Sequence, residues 1–175
     1  MSKVFPSIKA AAITDIPAGS IVSFQRSGRL LHAIVTDQTL NESRSLVILN
    51  LAMQDRPAVT YIENWRNPES VLTYCDSRFE ISLDQNKIDP LGQNSWETAG
   101  ALLAIDDQVY IRAYHDTTFG DYKLINVEGG AVYSGRQTNR FWSFLAWKIW
   151  IRDPTSKCDT MLLEFDVSQL RQSTG

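Results

Sequence analysis

The sequence predicts an all-β domain, and three observations carry the prediction. Hydrophobic residues recur with a period of two along most of the chain. Turn-forming residues interrupt them at intervals of roughly 10–15 positions. No long stretch repeats with the 3.6-residue period of an amphipathic helix. About ten short strands on this pattern imply one antiparallel β-barrel or β-sandwich with little helix. No composition break divides residues 1–175, so a single domain is expected. A β-trefoil is the alternative, because 20–24, 78–83 and 108–112 each follow a turn, but their intervals are unequal.

The clearest element of the first half is a hairpin over 21–36. Pro17-Ala18-Gly19 suits a type I turn, Val22 and Phe24 alternate with Ser23 and Gln25, and Ser27-Gly28 reverses the chain. Ser45-Leu-Val-Ile-Leu-Asn-Leu has strand length and no alternation, the signature of burial on both faces. Ala58–Glu63 and Val71–Asp76 are short and rich in β-branched and aromatic residues, and Phe79–Asp84 alternates. Residues 85–98 collect Asn, Asp, Pro, Gly and Ser and read as one long loop around Trp96. A second hairpin follows, with arms 101–105 and 108–114 about an Asp106-Asp107 turn. Tyr122–Val127 then runs to a Gly129-Gly130 reversal. Residues 141–151 read as one long central strand, and 161–167 as the strand that closes the sheet. Residues 167–172 could form only a helix too brief to stand alone.

Composition excludes several function classes. The balance of 17 basic and 20 acidic residues gives a net charge of −3, which offers nucleic acid no basic surface for counterion release. Pro6 and Lys9 interrupt the start before a secretory apolar core can form, and no apolar run reaches the length of a membrane span. Cys75 and Cys158 are 83 positions apart, too few and too separate for a disulfide framework or a zinc-ligand set, and read as buried thiols. A cytoplasmic location is expected, with neither nucleic acid nor membrane as a partner.

Candidate chemistry is sparse. Arg140-Phe-Trp-Ser-Phe-Leu-Ala-Trp-Lys-Ile-Trp-Ile is the densest feature. As a strand it sends Trp142, Phe144, Ala146, Lys148 and Trp150 to one face and Phe141, Ser143, Leu145, Trp147, Ile149 and Ile151 to the other. Core or subunit interface is the plainer role for such aromatics, and a platform for a planar ligand at Trp142 or Trp150 is the functional one. Two histidines are present. His32 lies among apolar neighbours and reads as a packed histidine. His115 ends a strand beside Asp116, where a general base could sit, although the pair is also an ordinary loop start. No Gly-x-Ser-x-Gly elbow, phosphate loop, dinucleotide glycine pattern or His-Glu-x-x-His pair occurs. The aspartates fit no calcium-loop spacing, so no metal or cofactor is expected.

Arginines beside rings form one modest constellation: Trp65-Arg66, Arg112 between Tyr110 and Tyr114, and Arg140 before Phe141-Trp142. Stacked guanidinium groups can shape a pocket for an anionic or planar ligand, or simply cover ring faces. The expected function is therefore a β module that binds a small ligand or a protein partner, as a homodimer through an aromatic surface. Its expected site is Arg112, His115, Asp116, Arg140 and Trp142. The alternative is a β-barrel hydrolase or lyase using His115 with a neighbouring acid and an arginine.

Overall fold

A computed structural model describes residues 8–40, 43–51, 58–65, 71–74, 77–89, 98–116, 121–135, 141–152 and 159–166. The side chains of Ile8, Lys9, Leu40, Asn64 and Trp65 lie outside that description. Arg66, Cys75, Asp76, Trp96, Arg140, Cys158 and the short C-terminal segment 167–172 also lie outside it. The described residues are almost wholly β, as the sequence predicts, with two 3-10 turns and no α-helix.

Fourteen strands form among the described residues, more than the ten or so expected. They are β1 (Ile8–Ala11), β2 (Ile21–Arg26), β3 (Arg29–Leu40), β4 (Ser43–Ile48), β5 (Thr60–Trp65), β6 (Val71–Tyr74) and β7 (Ser77–Ile81). Then come β8 (Ile88–Asp89), β9 (Leu102–Ile105), β10 (Gln108–His115), β11 (Tyr122–Asn126), β12 (Trp142–Phe144), β13 (Ala146–Arg152) and β14 (Asp159–Asp166). Eleven of them make one sheet in the order β1-β6-β2-β3-β4-β5-β10-β9-β12-β8, with β11 beside β10. The other three make a small sheet, β14-β13-β7. This order contains no threefold repeat, so it gives the trefoil alternative no support.

The hairpins follow from local chemistry. Ser27 and Gly28 both take positive φ, 49° and 76°, which is the geometry of a tight turn matched to strand twist. Asp106 supplies the left-handed residue between β9 and β10, a conformation aspartate tolerates. β4 is buried on both faces: Leu46 and Ile48 enter one apolar cluster with Val22, Phe24, Ala33 and Val35, while Val47 enters another with Ile21 and Ile34. That is why its sequence shows no alternation.

Three parts of the sequence reading need correction. Residues 141–151 are not one strand. The chain breaks at Leu145, so that β12 lies between β9 and β8 in the large sheet and β13 lies between β14 and β7 in the small one. Leu145 N–H donates to the Lys87 carbonyl at 2.8 Å, and Ser82 N–H donates to the Ala146 carbonyl at 3.0 Å. Residues 77–89 and 141–152 therefore form one bent ladder that passes from sheet to sheet, the corner geometry of packed sheets. Residues 85–98 are likewise not one loop, because Gln85–Lys87 forms a 3-10 turn capped by Asp84 and Ile88–Asp89 pairs with β12. The sheet is also not purely antiparallel, since β5 and β10 pair in parallel at Thr60–Tyr114 and Tyr61–His115.

The two sheets pack through Trp147, Ile149 and Phe165 of the small sheet against Leu102, Ile111, Ala113 and Ile125 of the large one. Trp147 stacks on Phe165 at 4.9 Å and its indole N–H donates to the Gly100 carbonyl at 2.7 Å. Gly100 adopts φ of +93°, and a Cβ there would lie 2.0 Å from the Phe165 ring, so this contact requires glycine twice over.

Candidate functional site

The expected site residues gather around β10, and the reason is its position. β11 flanks it along one side, while β9 pairs with its first half and β5 with its end on the other. The pairing with β11 is regular from Tyr110 to Tyr114, so alternation sorts the side chains cleanly. Arg112 and Tyr114 share one face, and Ile111, Ala113 and His115 share the other. His115 and Asp116 are therefore adjacent in sequence but leave the strand in opposite directions, and Arg112 and His115 also face apart.

Arg112 is buried at 5% exposure, and its guanidinium sits 4.1 Å from the centre of the Tyr122 ring. Tyr122 in turn meets Tyr114 edge to face at 5.9 Å. A cation over a ring contributes about 2 kcal/mol where water is excluded. The ring that Arg112 meets is thus Tyr122 across strands on β11, whereas the sequence points to Tyr110 and Tyr114 on either side of it.

His115 is also buried. Its Nε2 donates to Glu63 Oε1 at 3.0 Å, and its Nδ1 lies 3.8 Å from Asp121 Oδ2. A carboxylate only accepts, so Nε2 carries a proton in this arrangement. Lys123 Nζ reaches Asp121 at 3.5 Å, and the Tyr61 ring lies 5.4 Å from the imidazole. Burial pushes the Tyr61 hydroxyl above its usual pKa, with the charges of Glu63 and Asp37 adding to the rise and a bond to Ser45 opposing it. The acids at His115 are thus Glu63 and Asp121. Sequence reasoning passed over Glu63 because its approach depends on the parallel β5–β10 pairing, which has no local signature. One signal existed: Glu63 follows Tyr61 at the spacing of one strand face, where an apolar residue would continue the pattern.

Trp142 stands apart from both groups, two strands from β10. Val109, Ala104 and Trp142 form one cross-strand row over β10, β9 and β12. The alanine in that row leaves the indole face uncovered, and Trp142 is 55% exposed. It is the one large exposed aromatic among the described residues. Trp147, five residues on, is 1% exposed and belongs to the core.

A cleft of about 290 Å³ opens along the small sheet, lined by Glu80, Lys87, Lys148, Glu164 and Asp166 over Trp147 and Phe165. Its lysines are neutralised in place, Lys87 by Asp166 at 3.0 Å and Lys148 by Glu164 at 3.2 Å. No group of three or more metal-ligating side chains converges among the described residues, and no helix among them is long and apolar enough to cross a membrane. Compared with protein-family models, curated proteins and solved structures, the chain shows no significant match to any of them.

Proposed function

We propose that this chain is a non-catalytic β module of the cytoplasm that binds a small ligand or a protein partner through an aromatic surface centred on Trp142, and that it acts as a homodimer. The supporting observation is the exposed indole on the Val109–Ala104–Trp142 row. A flat apolar ring on a rigid sheet offers contact area at little entropic cost, and exposed aromatic surface marks contact sites. Arg112, held over Tyr122, is a buried positive charge on β10, two strands away from Trp142, and takes no part in that surface.

Two measurements test the reading. Affinity electrophoresis of wild type and Trp142→Ala against a panel of soluble polysaccharides reports ligand binding, and sedimentation equilibrium reports dimerisation. Wild type should be retarded or dimeric and Trp142→Ala neither, with equal melting temperatures. A wild type that is monomeric and unretarded, or a variant that behaves as wild type, rejects the proposal.

The second reading, a β-barrel hydrolase or lyase, draws on the 3.0 Å contact between His115 and Glu63. An oriented histidine beside an acid suits proton transfer. It calls for an arginine and a reacting group on the same side, whereas Arg112 faces away. Loss of a hydrolytic activity in both His115→Gln and Glu63→Gln would favour it over the binding module.

A further inference from the structure

The second histidine sits in a different polar cluster, on the sheet end formed by β2, β3 and β6. Ser23 is fully buried, and its Oγ lies 2.7 Å from His32 Nδ1 and 2.7 Å from the Tyr74 hydroxyl. The His32 backbone N–H donates to Asn50 Oδ1 at 2.8 Å, and Asn50 Nδ2 donates to the Leu30 carbonyl at 3.1 Å, so the histidine is held from both chain and ring. Tyr74 ends β6, the strand that joins β1 to β2.

We propose that the Tyr74–Ser23–His32 chain is an acid-sensitive latch that fastens the β1–β6 edge to β2. With a neutral imidazole, Tyr74 donates to Ser23 and Ser23 donates to His32 Nδ1, and every hydroxyl is satisfied inside the protein. A second proton on the ring lodges on Nδ1 and abolishes that acceptor. His32 must then donate to Ser23, Ser23 to Tyr74, and the Tyr74 proton must turn away from the cluster. Among the described residues, the charged ring gains no counter-charge in exchange. On β2 the same face carries Ser23 and Gln25; on β3 it carries Leu30 and Ile34; after β4 comes Asn50; on β6 come Leu72 and Tyr74. Tyr74 is the titratable group among them, and Arg26 and Arg29 alternate onto the opposite face. Burial accordingly holds the His32 pKa below its usual 6.5.

The sign follows. A histidine whose folded pKa is depressed binds its proton more readily when released, so the latch is secure at neutral pH and weakens as pH falls below 6.5. Hydrogen exchange of the β6 amides, corrected for intrinsic rate, should accelerate between pH 7 and 5 by up to about tenfold per pH unit, the slope of one proton. Exchange in β10 should not follow it. His32→Gln, which cannot take up the proton, should remove the acceleration while His115→Gln keeps it. NMR titration of the His32 ring in wild type gives a check that needs no variant, with a midpoint expected below 6.5. A midpoint at or above that value, or equal acceleration in wild type and His32→Gln, overturns the latch.

Discussion

The segment 141–152 contains two regions with opposite roles, although they share one hydrophobic pattern. On β13, Trp147, Ile149 and Ile151 are buried at 2% exposure or less, and Trp147 and Ile149 join the small sheet to the large one. On β12, Trp142 turns outward over an alanine and stays exposed. Residue type does not separate the two tryptophans. What separates them is the change of sheet at Leu145, which gives β13 a covering layer and leaves the outer end of β12 without one among the described residues. One tryptophan is explained by packing, and the other is available for a contact.

The largest effect should come from Trp147→Ala. Removing a buried indole that also satisfies the Gly100 carbonyl should cost about 3–5 kcal/mol, read by denaturant melts. If the loss is below about 1 kcal/mol, the small sheet is not anchored there. Gly100→Ala sharpens the same contact from the other side. Its positive φ and the blocked position beside Phe165 should cost on the order of 1–3 kcal/mol, with no change in Trp142 accessibility.

Smaller effects should come from the polar groups near β10. The Tyr61 hydroxyl is harder to ionise folded than unfolded, so its contribution is complete below the ordinary value of 10.0 and is lost as pH rises toward the raised one. Tyr61→Phe should flatten the alkaline limb of the stability profile, measured by melting temperature from pH 8 upward. Glu63→Gln should cost less than about 1 kcal/mol, because the carboxylate is 43% exposed and partly screened. Trp142→Ala should be smallest, within about 0.5 kcal/mol of wild type, as for other surface changes without a packing partner.

Local physics made much of this fold readable. The 21–36 hairpin, the hairpin about Asp106 and the two-faced burial of β4 all follow from alternation and turn chemistry. The break at Leu145 was hidden because alternation runs through it without a glycine or proline, and only its bonds to Lys87 and Ser82 on another segment reveal it. Strand β8 has two residues, too few for any periodicity. The site was legible only in part: the sequence points to Arg112, but beside Tyr110 and Tyr114 rather than Tyr122, and offers Trp142 together with Trp150 without a feature to choose between them. Glu63 stood out only as a polar residue on an apolar strand face, and its partnership with His115 was not readable, because 52 positions and a parallel pairing separate the two.

The most direct test of the contrast between the two tryptophans is to follow the five indole N–H resonances by NMR. The protein would be titrated with a soluble polysaccharide that retards it, and separately diluted across its association range. The account predicts that the Trp142 resonance shifts in one or both series while the Trp147 resonance, bonded to Gly100, stays fixed. A shift at Trp147 without one at Trp142, or no shift at Trp142 in either series, would contradict it.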